Sequence, residues 1–389
     1  MQLFSDTSFF LCLATILVPA FLLGIREKSL VHYGMAASLF FIAVSMGRDL
    51  LSLGYMIAFC LYQLVLTKAY LWIRTKKGRR YGWYYLFLIG TIAPLTLYKV
   101  FAEVGNPHHI LAFAGISYMT FKTAQIVIET YDGLIRELRT SEFLYLLLFF
   151  PTLISGPIDR SRRFEEDLHR IIPKKEYLEL AGEGVFKIFQ GLVYKKVLAT
   201  CCYTLMNYFG TGQSPRALLI YMYMYGLYLF FDFAGYSRMA VGVAYFLGIR
   251  TPENFNAPFL SKDIKEFWNR WHISLSHWFR DYVFSRITMR LVKSRRFHSK
   301  LVIAGIAFII NMGLMGCWHG LSWQYILYGV YHGVLLTGCE VFQKQSKVYK
   351  RYKNDRWFQF VEWFLTFHLV LFGFLIFSGR LGGAVASLL

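Results

Sequence analysis

Long apolar runs recur along the whole of this 389-residue chain. "SFFLCLATILVPAFLLG" (8–24), "LVHYGMAASLFFIAVSM" (30–46) and "WFQFVEWFLTFHLVLFGFLIFSG" (357–379) approach or exceed the roughly 20 residues with which a helix crosses a bilayer. With 56% hydrophobic residues, the chain is too apolar for a soluble domain of its length. It reads as an all-α polytopic membrane protein. Spans are expected near 8–24, 30–46, 50–73, 84–104, 109–129, 143–158, 185–209, 217–249, 302–318, 322–340 and 357–379, with 217–249 a candidate for a break at Gly235. The first run lacks a basic leader and a small-residue cleavage site, so it is expected to stay as the first span. No soluble domain, linker or internal repeat stands out, and one membrane domain over 1–389 is expected.

The formal charge of +19, from 42 Lys and Arg against 23 Asp and Glu, would suggest nucleic acid in a soluble protein. Here it is better read as the cationic loops that orient spans with their basic ends inside, and no nucleic-acid partner is expected. "RTKKGRR" (74–80), "KKEY" (174–177), "KSRRFHSK" (293–300) and "KQSKVYKRYKNDR" (344–356) are all placed on the cytoplasmic face. With the amino terminus outside, "REK" (26–28) falls inside and "GRD" (47–49) outside. Strict alternation would put the basic turn after residue 158 outside, so 143–158 is expected to dip in and return. The segment 302–340 joins two basic loops, so its turn at "CWHGLSW" (317–323) faces outward. The six cysteines follow no disulfide or metal-site spacing, and no metal is expected.

Four stretches carry polar groups that the spans do not need. In "EFWNRWHISLSHWFRDYVF" (266–284), helical spacing puts Trp271, Leu275 and Trp278 on one face and Arg270, Ser274, His277 and Asp281 on another. Trp268, His272 and Ser276 form a third stripe. By periodicity alone, an interfacial amphipathic helix is the better reading. Trp318–His319–Gly320 places an imidazole at the end of an apolar span, either bonded to a neighbouring carbonyl or functional. His332, in "GVYHG", looks similar but lies mid-span without other polar groups, as a packing histidine does. In "FFDFAGYSRMAVG" (230–242), Asp232 within an apolar run suggests a broken helix around a cavity, or a pair with Arg238. "PTLISGPIDRSRRF" (151–164) ends its apolar run abruptly in a basic turn.

Together these stretches resemble the membrane-bound O-acyltransferase family. "FWNRWHISLSHWFRDYVF" and "MGCWHGLSW" match its two histidine blocks, giving His272 and His319, 319 − 272 = 47 positions apart. "FFDFAGYSRMAVG" and "GISYMTFKTAQIVIETYDG" (115–133) are similar to its bacterial branch. "PTLISGPIDRSRRF" resembles the D-alanyl-transfer members of Gram-positive bacteria more than the alginate O-acetylases. The resemblance implies a ring of about eleven helices around a thin centre, with a cytoplasmic funnel, partly built by 250–300, and a through-tunnel. It thereby turns the opening stretch from an interfacial helix into a cavity wall. It also implies a plasma-membrane enzyme that passes D-alanine from the phosphopantetheine thioester of an acidic cytosolic D-alanyl carrier protein to an outer hydroxyl. That acceptor is lipoteichoic acid or a small membrane relay protein, beside other D-alanylation membrane proteins, and no permanently bound cofactor is implied.

On this reading His319 is the general base and His272 positions the thioester or its oxyanion. Trp268, Trp271, Ser274 and Trp318 shape the channel, Asn311 is a candidate oxyanion donor, and Asp232 pairs with the substrate ammonium or with an arginine. The carrier docks at "SRITMRLVKSRR" (285–296) through Ile287, Met289, Leu291, Val292, Arg295 and Arg296. Two alternatives stay open: a polysaccharide O-acetyltransferase of the same family, and a transporter or channel lined by Asp232, His272 and His319.

Overall fold

The computed structural model describes residues 3–4, 6–47, 49–105, 111–212 and 214–382. Arg48 of the "GRD" turn and residues 109–110 of the fifth expected span lie outside them. Among the described residues the regular structure is helical, and the β-type pairing is one isolated antiparallel bridge, Phe255 to Trp271. The backbone packs as two compact units, Met1–Leu192 with Gly235–Glu253, and Val193–Ala234 with Asn254–Leu389.

The first unit holds α1 (Thr7–Gly24), α2 (Val31–Met46), α3 (Leu50–Lys77), α4 (Tyr81–Glu103), α5 (Ile116–Asp132), α6 (Thr140–Leu148), α7 (Ser161–Leu168) and α8 (Lys174–Leu192). Helix α5 is buried all round, which explains how a membrane protein tolerates its polar residues. Lys122 Nζ donates to the Leu146 carbonyl at 2.8 Å and to Thr152 Oγ1 at 3.1 Å, and Gln125 Nε2 donates to the Asp159 carbonyl at 3.1 Å. These bonds give partners to the Leu146 and Asp159 carbonyls on either side of a buried stretch whose regular structure is one short 3-10 turn, Phe150–Thr152. The "GISYMTFKTAQ" and "SGPIDR" motifs are therefore two halves of one polar clamp.

The ends of this segment are tied together by polar contacts. Glu142, at the start of α6, accepts from His169 Nε2 at 2.9 Å, just after the end of α7. Arg79 reaches Asp132 at 3.5 Å, Arg170 meets Glu176 at 2.6 Å, Arg250 also pairs with Glu176, and the Lys174 N–H donates to Glu27 at 2.8 Å. The Glu142–His169 bond thus brings the two ends of the 142–169 segment together within this unit.

The second unit holds a π-helical segment Val193–Leu198, α9 (Ala199–Phe209), α10 (Pro215–Phe246, to Ala234), α11 (Ile264–Arg270), α12 (Ile273–Phe279), α13 (Ser285–Ser294), α14 (Lys300–His319), α15 (Trp323–Gln345), α16 (Lys347–Tyr352) and α17 (Arg356–Phe377). The suggested break at Gly235 is not there: α10 runs through it as one helix. The glycines there serve close approach instead. A Cβ on Gly191 would lie 2.5 Å from the Gly235 carbonyl, and one on Gly242 would lie 2.5 Å from that of Gly184. Six described helices, α1, α3, α4, α10, α14 and α17, are long and apolar enough to span a bilayer, against the eleven spans expected. The rest of the count included runs such as α6, which turns back, and α5, whose polar face needs protein around it.

Candidate functional site

The stretch 266–284 is not one helix. It breaks between α11 and α12, where His272 takes φ 44° and ψ 51°, a left-handed conformation that a residue with a Cβ seldom adopts. The three expected side-chain stripes therefore do not run through it. The cause is the preceding segment 254–256. Phe255 bridges to Trp271, and the Asn256 N–H donates to the Arg270 carbonyl at 3.0 Å. Asn254 accepts at its carbonyl from the Ile273 N–H at 2.9 Å and at Oδ1 from the Ser274 hydroxyl at 2.6 Å. These bonds hold the break open, and such locally strained residues cluster at functional sites. The His272 side chain is buried edge-on against Phe233, with ring centroids 4.7 Å apart, and faces Trp318 at 6.4 Å. Burial, aided by the nearness of His319, pushes its pKa down to about 3, so the ring is neutral.

His319 is the last residue of α14. Its half-buried ring sits in an aromatic cage: Trp318 at 4.6 Å, Phe377 at 5.0 Å, Tyr328 at 6.2 Å and Tyr325 at 6.3 Å. Gly320 lets the chain turn there, since a Cβ would lie 2.4 Å from the Tyr325 ring. The turn lies at the end of the α14–α15 pair remote from the basic loops 293–300 and 344–356.

The two imidazoles line one cavity of about 60 Å³, together with Leu229, Phe233, Trp268, Trp271, Leu275, Tyr328, Phe374 and Phe377. A water needs roughly 10–15 Å³ by this measure, so the space takes about four to six heavy atoms. The cavity is otherwise apolar. It offers two imidazoles and a phenol to whatever enters, in surroundings where water competes poorly for hydrogen bonds.

The remaining expected residues are distributed as follows. Trp268 and Trp271 line the cavity, and Trp318 adjoins both histidines. Ser274 is bound by Asn254 and holds the turn rather than facing the cavity. Asn311 lies two helical turns, roughly 12 Å, from His319 and is not among the lining residues. Asp232 pairs with Lys195 on the π-helical segment and not with Arg238, whose guanidinium donates to Gln190 at 2.7 Å. On α13, Met289 and Val292 are 53% and 56% exposed on one face, Ile287 and Leu291 are half-buried on the other, and Arg295 and Arg296 are exposed beyond it. Residues that sequence reasoning missed include Asn254, Phe233, Tyr328, Phe374 and Phe377. No motif marks the aromatic ones, because a cavity wall and a packed core use the same residue types.

Residues 58–378 match the model of MBOAT, the membrane-bound O-acyltransferase family. The chain is 42% identical over 388 residues to the teichoic acid D-alanyltransferase of Bacillus subtilis (strain 168), covering 97% of this chain and 98% of the relative. It is 36% identical to the teichoic acid D-alanyltransferase of Streptococcus thermophilus, covering 97% and 95%. A probable alginate O-acetylase AlgI of Pseudomonas aeruginosa matches at 32% over 70% of this chain and 50% of its own length. With its paired histidines on one cavity and a family match over most of its length, the chain belongs to the membrane-bound O-acyltransferase family.

Proposed function

We propose that this multi-pass membrane enzyme is a teichoic acid D-alanyltransferase, which passes D-alanine from a thioester to a hydroxyl acceptor. The observation that carries this is the single apolar cavity shared by His272 and His319, in a chain similar to such transferases over nearly its whole length. The match to alginate O-acetylases is shorter on both sides, which favours D-alanyl transfer over acetylation. An alanyl group has five heavy atoms and fits the space. Its ammonium would lie against aromatic faces such as Trp271 and Phe374, which attract cations.

In the reaction, His319 takes the proton from the acceptor hydroxyl as its oxygen attacks the thioester carbonyl. A tetrahedral oxyanion forms. It collapses with cleavage of the C–S bond, and the proton returns from His319 to the departing thiolate. Such a base contributes about 10²–10⁴-fold in rate. His272, neutral and held in place, positions the carbonyl or donates to its oxygen. The thioester is already activated, so the step needs no nucleotide. The donor is the phosphopantetheine arm of an acidic cytosolic carrier protein, which docks on α13, and the acceptor is teichoic acid or a membrane relay protein beside it.

The test is transfer of labelled D-alanine from loaded carrier by the purified protein in lipid nanodiscs. Wild-type protein should label a hydroxyl acceptor, and folded His319→Ala should lose at least a hundredfold in rate. Ion or solute flux without label transfer would instead support a transport function.

A further inference from the structure

Behind the cavity lies a third histidine that this mechanism leaves unused. His332, on α15, is fully buried, and neither ring nitrogen has a hydrogen-bond partner among the described residues. The same is true of the Trp268 indole N–H. The two rings stand edge to face, with centroids 5.2 Å apart and planes at 85°. His332 also meets Tyr328 at 4.6 Å. Trp268 and Tyr328 are both cavity wall, whereas His332 stands directly behind them.

The site is closely packed around this ring. A Cβ on Gly373 of α17 would lie 2.6 Å from His332 Nε2. A pure spacer here would be cheaper as an apolar ring such as phenylalanine, with no polar atoms to strand. A buried donor with no acceptor thus packs against a ring that carries an unused acceptor nitrogen. Catalytic hydrogen bonds are often unmade before substrate arrives and tighten in the loaded complex.

We propose that His332 is a positioning residue for the acyl transfer: one of its ring nitrogens accepts from the Trp268 indole as the donor fills the cavity, fixing the wall against which the acyl carbon is held. This rests on the acyl-transfer reading above. The bond forms only in the loaded state, so its loss is felt in kcat more than in KM for the carrier.

The test uses the full-length protein in nanodiscs with labelled D-alanyl carrier. His332→Phe should stay folded, keep the wild-type KM and lose about tenfold in kcat. His332→Gln, whose amide can accept, should recover part of that loss. Trp268→Phe should show a similar loss, and adding His332→Phe to it should cost nothing more. His332→Phe at full rate, equal losses for Phe and Gln, or losses that multiply in the double variant would each overturn the proposal. Failure of the wild type to transfer would overturn the acyl-transfer reading and this proposal with it. Wild-type transfer alongside a fully active His332→Phe would overturn this proposal alone.

Discussion

At the residue scale, His272 is held in an unfavourable backbone conformation by Asn254. Replacing Asn254 by Ala removes the side-chain acceptor of two bonds from Ser274, at about 1–3 kcal/mol. Asn254→Ala should therefore lower the unfolding temperature and reduce transfer, because His272 is released from its place on the cavity wall. An unchanged melting curve would show that the turn holds itself. Acidification offers a second measure. The buried imidazole has its pKa lowered to about 3, against an ordinary value of 6.5 in the unfolded chain. Below about pH 6.5 the unfolded chain takes up a proton that the folded one refuses, so stability falls as pH drops, by up to about 1.4 kcal/mol per unit, until the folded pKa is reached. Asparagine tolerates the left-handed conformation and does not titrate. Thermal unfolding from pH 7 to pH 5 should thus show a shallower loss for His272→Asn than for wild type, and equal slopes would place the proton elsewhere.

At the element scale, α13 separates its apolar residues into two roles. Ile287 and Leu291 are half-buried within the second unit, while Met289 and Val292 face outward beside Arg295 and Arg296. Met289→Glu and Val292→Glu should each leave the protein folded and weaken carrier binding at least tenfold. Binding of an acidic partner should also weaken with salt, as exposed charges are screened. Pull-down with acylated carrier at two ionic strengths checks both, and retention of carrier by Met289→Glu would exclude this face. The apolar and basic residues of 285–296 are visible in the sequence, but their division between faces follows only from the helix register. The same limit explains the central motif. Its histidine could be read from "NRWHISLS", yet the helical stripes drawn through it fail because a remote segment, 254–256, competes for its backbone. Long-range hydrogen bonds of that kind leave no periodicity behind. His319 was easier to place, since an imidazole at the end of an apolar run needs no distant partner to be noticed.

At the scale of the whole molecule, the charge pattern argues that 143–158 returns rather than crosses. A basic turn after residue 158 can lie inside only if 143–158 returns to the face it left, and Glu142 bonded to His169 closes that loop. The buried Lys122 and Gln125 make the excursion tolerable, because backbone that neither crosses as a helix nor reaches water must find its partners within the protein. Both ends of the excursion should accordingly answer to the same side of the membrane. Glu137 and Ile171 flank it, are well exposed, and are suited to single cysteine labels. In intact cells neither Glu137→Cys nor Ile171→Cys should react with a membrane-impermeant maleimide, and in inverted vesicles both should. Reaction of one from outside and the other from inside would mean that 143–158 crosses, and the basic turn would then face outward against its charge.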